Sequence, residues 1–218
     1  MNICQAILFP INATPRSLAR RQLKDVDEFV QEQRLTGARQ VVSRLSGANA
    51  PDRRQLEHFI YTIFRNAYGA NVTHFMPQLL SLHDQYAQVL AVCGLRQAGS
   101  ERLFLETYLD QPIEAALSAR IGAEVARSDI VEIGNLAVAE FGLTRNLLLE
   151  VANHLRTTNT QWAVFTAIPT LCNSLAKLNM RLEKLGEAEI TSIPESERAA
   201  WGSYYAENPQ VMAIRRMQ

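Results

Sequence analysis

The chain has 218 residues, the size of one domain or of one domain with an arm, and 47% of them are hydrophobic, enough to bury a core. Its 22 Lys+Arg balance 22 Asp+Glu, which argues against capture of nucleic acid or an anionic membrane by bulk charge. No apolar run approaches the ~20 residues that span a bilayer, and the three cysteines, Cys4, Cys93 and Cys172, have no metal-like spacing.

Residues 1–48 read as an N-terminal arm or extension and residues 49–218 as the main domain. Ile3 to Ile11 is apolar but lacks a charged lead and is broken by Pro10, so it does not read as a signal peptide, and a cytoplasmic location is expected. Residues 1–65 carry ten Lys/Arg against six Asp/Glu, a mildly basic stretch that reads as a solvated face. Leu23, Val26, Phe29 and Val30 fit one helical face, Arg39 to Leu45 a first strand, and Ser46 to Asn49 a turn. Pro51 and Asp52 then open the clearest helix, with Leu56, Phe59, Ile60, Ile63 and Phe64 as its apolar stripe and Gly69 as its stop.

Phe75–Leu82 and Gln88–Leu95 are short apolar runs around the polar turn His83-Asp84-Gln85-Tyr86, which predicts a hairpin. A Leu103-Phe104-Leu105-Glu106 segment follows, then a helix near Pro112 to Ile121, for which Asp110 is the favoured cap. Ile130 to Ala139 is a further strand, with Gly134 as a bulge or close-approach point. Gly142 precedes a helix with Leu148, Val151, Ala152 and Leu155 on one face; Trp162–Ala167 is a strand; Pro169 opens a helix carrying Leu171, Leu175 and Leu178. A hairpin followed by alternating strands and helices predicts an α/β domain with a mixed sheet, parallel in its second half.

Three segments carry a family resemblance. They are Phe64-Arg65-Asn66-Ala67-Tyr68-Gly69-Ala70 running into Phe75–Leu80, Leu103–Glu114 with Ile130–Ala137, and Trp162–Ala167 with Trp201-Gly202-Ser203-Tyr204-Tyr205. Together they resemble the thermostable hemolysin family over about residues 53–213. The resemblance implies a GNAT-like mixed twisted sheet flanked by helices. The family name implies red-cell lysis, yet the sequence has no long membrane-spanning or amphipathic element to carry it. A more distant resemblance is to acyl-homoserine-lactone synthases. Val92-Cys93-Gly94-Leu95-Arg96 is similar to their Gly-Cys-x-Arg strand, and Glu132-Ile133-Gly134-Asn135-Leu136 to their Glu-Leu-Ser-Arg-Phe strand, with Asn135 in place of the arginine.

These resemblances imply an N-acyltransferase. Its donor is an acyl-CoA or another acyl-pantetheine thioester, an acyl carrier protein among the partners, and its acceptor is a small-molecule amine in small-molecule or signal biosynthesis. Alternatives are a membrane-active hemolysin and a GNAT-like binding module without catalysis. No metal, nucleic acid or stable membrane span is expected; His58, His74, His83 and His154 form no metal-spaced set.

In a GNAT-like fold the pantetheine arm pairs with exposed backbone of the fourth strand, here at Leu136, Ala137 and Val138. The pyrophosphate rests on the loop entering the next helix, here Gly142, Thr144 and Arg145, with Asn173 in the following helix facing the carrier. Glu140 has the wrong charge for that loop, which favours a carrier-protein donor. Glu132 is the candidate general base; its structural alternative is an ion pair with Arg96 across the sheet. Glu132 and Asn135 share a pocket only if a bulge intervenes. Arg96, Glu106, Tyr108 and Asn135 are candidate substrate-binding residues. The Trp201–Tyr205 segment either lines an acyl pocket or locks the tail, and no tyrosine in the last clear helix offers a general acid.

Overall fold

The computed structural model of the chain describes residues 41–140, 142–158, 160–177 and 180–216. The helical face expected at Leu23 to Val30, the start of the first strand at Arg39, and Leu178 at the end of the last predicted helix lie outside these residues. Seven strands form one mixed sheet: β1 (Val42–Ser46), β2 (Gln78–His83), β3 (Val89–Gln97), β4 (Ile130–Val138), β5 (Trp162–Ala167), β6 (Leu182–Glu187) and β7 (Gln210–Arg215). Their spatial order is β1-β2-β3-β4-β5-β7-β6, with β4 and β5 parallel and every other pair antiparallel. The helices are α1 (Arg53–Tyr68), α2 (Ile113–Ile121), α3 (Leu143–Thr157), α4 (Pro169–Lys177) and the short α5 (Glu195–Arg198).

Local chemistry explains most boundaries. α1 buries Leu56, Ile60, Ile63 and Phe64 and ends at Gly69, whose φ of 65° is the left-handed cap conformation. The β2–β3 hairpin turns on Asp84, whose Oδ1 accepts the N–H groups of Tyr86 and Gln88 at 2.9 Å each. β2 begins at Gln78 and not at Phe75, because Pro77 has no N–H for a ladder and Met76 gives its own to the side chain of Asn135. The Leu103–Glu106 segment leads into a 3-10 turn, Phe104–Tyr108.

Two differences from the sequence reading matter. The α2 helix is not capped by Asp110: Pro112 occupies the cap position, and the first helical N–H, that of Ile113, donates to Glu106 Oε1 at 2.9 Å. The chain also adds two strands beyond the last predicted helix. β7 inserts between β5 and β6, so β5 is interior and its six residues are all buried.

The core has two parts. The larger joins α1, α3 and α4 to β2–β5; the smaller lies under α2 and gathers Ile113, Leu117, Ile130, Trp162, Val164 and Ala213. The Trp201–Tyr205 segment closes the larger part over the end of α1. Trp201 and Tyr204 are fully buried, and Ser203 N–H donates to Tyr68 O at 2.9 Å. Gly202 makes this approach possible: its φ is 53° with ψ −128°, and a β-carbon there would lie 2.0 Å from Tyr68 O. Gly202→Ala is therefore expected to cost about 3 kcal/mol or more. Chemical denaturation measures this, and an unchanged midpoint contradicts the packing described.

Candidate active site

The site is built around an irregularity in β4. On one side β4 pairs with β3 along its length, but the register shifts between Val92 and Gly94 opposite the Gly134–Ala137 stretch, so β4 carries an extra residue there. Asn135 absorbs it with a φ of 48°, a left-handed conformation that asparagine tolerates better than most residues. Its Oδ1 accepts the N–H of Met76 at 2.9 Å. Gly94 leaves room for that contact, because a β-carbon on it would lie 2.6 Å from Met76 Cβ and 3.0 Å from Asn135 Oδ1. Gly94 and Arg96 point the same way along β3, and Arg96 stands opposite Glu132 in register. The bulge thus turns Asn135 onto the face that carries Glu132, where regular alternation sets them on opposite faces.

On its other side β4 pairs with β5 only from Ile130↔Trp162 to Ile133↔Phe165. Beyond that point β5 continues its pairing with β7 to Ala167, while β4 continues its pairing with β3 to Val138. The two parallel strands therefore part after Ile133. Among the described residues, the peptide edge of β4 facing β5 from Gly134 onward, Leu136, Ala137 and Val138 included, has no strand against it. Below the opening lies an apolar cavity of about 80 Å³, lined among others by Ile133, Leu136, Val151, Phe165, Leu171 and Leu175. Thr166 also lines it, with a buried hydroxyl that has no partner among the described residues.

Glu132 stands one residue before the parting and is fully buried. Its two carboxylate oxygens accept separate backbone donors, Phe104 N–H and Leu105 N–H, at 3.0 Å each. Arg96 is a loose partner: its Nη1 lies 4.0 Å from Glu132 Oε2 and its Nε 3.4 Å from Glu101 Oε1, and neither nitrogen makes a hydrogen bond among the described residues. Burial raises the Glu132 carboxyl to about 7, against the lowering pull of the Phe104 N–H, the Arg96 charge and the Leu105 N–H.

Glu106 faces the opposite balance. Burial raises it, but Arg127 and the N–H groups of Ile113 and Leu103 outweigh burial and hold it below the ordinary carboxylate range. Arg127 donates Nη1 to Glu106 Oε1 at 2.6 Å and to Glu114 Oε2 at 2.7 Å, and Nη2 to Glu106 Oε2 at 3.0 Å. Tyr108, at the end of the 3-10 turn, hydrogen-bonds through its hydroxyl to that of Tyr205. Burial raises both phenols, so both stay protonated through neutral pH.

Of the residues singled out in the sequence, Arg96, Glu106 and Tyr108 gather around Glu132, while Asn135 turns to the same face of β4 and contacts Met76. Gly142, Thr144 and Arg145 form the first turn of α3 beyond the end of β4, and Asn173 is exposed on α4. Sequence reading did not single out the Phe104 and Leu105 N–H groups, Thr166 or Arg127. Backbone donors carry no side-chain signal, and Arg127 meets Glu106 only through the fold. Among the described residues no group of His, Cys, Asp and Glu is arranged to hold a metal ion, and no helix is long and apolar enough to cross a membrane.

Seven strands in this order, parted after a parallel β4–β5 step beside a bulged β4, define a GNAT-like fold. The chain belongs to the thermostable hemolysin family, which matches residues 46–218. Solved structures of similar fold include three synthases. The AHL synthase LasI superposes with a TM-score of 0.57 at 10% identity, covering 83% of this chain and 92% of its own. The acyl-homoserine lactone synthase BjaI, solved with SAM and isopentyl-CoA, gives 0.55 at 11% identity, covering 82% and 85%. FeeM, an N-acyl amino acid synthase from uncultured soil microbes, gives 0.53 at 12% identity, covering 82% and 91%. No curated protein matches the sequence.

The bulge makes a graded test. Asn135→Gly keeps the positive φ but loses the bond to Met76 N–H, with an expected cost of about 1–2 kcal/mol. Asn135→Leu adds the strain of a left-handed leucine, with an expected total of about 3 kcal/mol. Equal losses in urea titrations contradict the role given to the positive φ.

Proposed function

We propose that the chain is an N-acyltransferase that moves an acyl group from a pantetheine thioester to a small-molecule amine. The observation that carries this reading is the end of the β4–β5 ladder at Ile133↔Phe165, with the buried Glu132 one residue before it. An extended amide-bearing arm is matched to such a strand edge, since it supplies the N–H and C=O groups the ladder lacks. In this reading Leu136, Ala137 and Val138 pair with the pantetheine, and the acyl chain lies in the apolar cavity beneath Ile133 and Phe165. Gly142, Thr144 and Arg145 meet the phosphate end, and Asn173 the carrier. The weak phosphate loop, with Glu140 beside it, favours an acyl carrier protein over free acyl-CoA. Residues 49–218 carry the reaction, and the preceding extension, residues 1–48, adds the edge strand β1 to the same sheet, in a cytoplasmic protein.

Glu132 then acts as the general base. The amine nitrogen attacks the thioester carbonyl carbon, forming the C–N bond, and its departing proton goes to Glu132. The C–S bond breaks, and the leaving thiolate takes up the proton that Glu132 received, which gives the free thiol and returns the carboxylate to its ionised form. A base works best when its affinity for a proton lies near the working pH, and the Glu132 carboxyl at about 7 meets that condition. The base is competent only when ionised, so activity rises with pH through about 7.

Thioester consumption and product mass spectrometry, with octanoyl-CoA and octanoyl carrier protein as donors and a panel of amines, test the reading. Wild type is expected to form an amide with an acid limb near pH 7, and Glu132→Gln to lose at least about 100-fold in rate. Equal turnover by the variant removes Glu132 from the mechanism. Vesicle leakage without thioester consumption favours the lytic activity in the family's name instead.

A further inference from the structure

The Glu132 carboxylate is held by a turn rather than by its ion pair. Its hydrogen bonds come from Phe104 and Leu105, at the start of the 3-10 turn Phe104–Tyr108. The residue at the cap position of that turn, Leu103, has no polar side chain, so the turn is closed by Glu106. Glu106, inside the turn, grips both of its flanks: Oε2 accepts Leu103 N–H and Oε1 accepts Ile113 N–H, each at 2.9 Å. Arg127 closes the clip from outside. Besides its two bonds to Glu106, it donates Nε to Ala98 O at 2.8 Å and Nη2 to Glu101 O at 3.2 Å. One guanidinium therefore fixes residues 98, 101, 106 and 114, the span that carries the two N–H donors.

Resting on the acyl-transfer reading, we propose that Arg127 and Glu106 are positioning residues that keep the Phe104 and Leu105 N–H groups on Glu132 and thereby set the pH at which the base becomes competent. Neither residue touches substrate in this scheme. The groups facing Glu132 are few. Arg96 from β3 stands 4.0 Å away, with Glu101 behind it at 3.4 Å from Arg96 Nε. Glu106 and Tyr108 lie on the turn. β5 offers the apolar Val164 in register. The Arg96 pair is too long to fix the carboxylate alone, so the N–H donors are the short-range restraint on it.

The clip has a sign. N–H donors favour the ionised carboxylate, so freeing the turn makes Glu132 harder to ionise. In Arg127→Met the acid limb of the rate profile is expected to move alkaline by about one pH unit. Activity then falls about fivefold at pH 7, about tenfold on the acid side of the profile, and recovers at high pH. Arg127→Lys, which keeps the charge and part of the grip, is expected to abolish much of the shift. A merely structural role lowers the rate equally at every pH.

Arg127→Met also leaves Glu106 without its cation, and that negative charge by itself pushes Glu132 the same way. The double variant Arg127→Met/Glu106→Leu removes both charges together with the clip, so a shift that persists there supports the turn and one that vanishes overturns it. NMR titration of carbon-13 glutamate, with the Glu132 signal assigned from Glu132→Gln, reads the same quantity without any acyl transfer. An unmoved Glu132 titration in a folded Arg127→Met protein refutes the positioning role even if the enzyme is active. A moved titration in a chain that transfers no acyl group upholds the clip while the acyl-transfer reading fails.

Discussion

The structure depends on one residue too many in β4. A strand between two neighbours must keep register with both, and β4 cannot: the residue taken up by Asn135 on the β3 side separates the strand from β5 after four matched pairs. The energetic cost is contained by three local devices. Asn135 tolerates the positive φ, its amide oxygen satisfies Met76 N–H, and Gly94 leaves the volume for that bond. β5 loses nothing by the parting, because β7 pairs with it to Ala167 on the other side. The result is a sheet in which, among the described residues, the β5-facing edge of β4 past Ile133 has no strand against it, beside an apolar cavity.

Electrostatics at this opening follow from burial at Glu132 and from pairing at Glu106. Two carboxylates within one short stretch of structure are driven apart: Glu106, gripped by Arg127, stays ionised, whereas Glu132, with only a distant guanidinium, is raised to about 7. The same turn connects them, with Glu106 inside it and Glu132 receiving its N–H groups. Separating two acids in this way gives one a permanent structural charge and leaves the other able to exchange a proton near neutrality.

Much of this fold is legible in the chain because its strongest signals are local. The stop of α1 at Gly69 and the limits of β5 at Trp162 and Ala167 follow from capping chemistry and apolar runs, whereas Asp52, at the cap position before Arg53, makes no cap bond and accepts a bond from Ser46 Oγ at 2.9 Å instead. The bulge was readable as a possibility at Gly134, and it falls at Asn135, the next residue. Tertiary features were hidden. The reading stopped before β6 and β7, since Leu182–Glu187 alternates charge with partial burial at a sheet edge and β7 is reached only after several 3-10 turns. Asp110 looked like the α2 cap because caps are usually adjacent; Glu106 performs that task from seven residues upstream of Ile113. The contact of Tyr108 with Tyr205 and the grip of Arg127 on Glu106 join distant parts of the chain and follow no sequence spacing.

The central claim is that the open edge of β4 receives a pantetheine arm. Backbone amide NMR of the full chain, titrated with a non-hydrolysable acyl-pantetheine thioether, examines it directly. The account requires the largest shifts at Gly134 to Val138, with slowed hydrogen exchange there and a second set at Leu171 and Leu175 beside the cavity. Shifts confined to the polar cleft between Arg102 and Gln111, with Gly134 to Val138 unmoved at saturation, would contradict it.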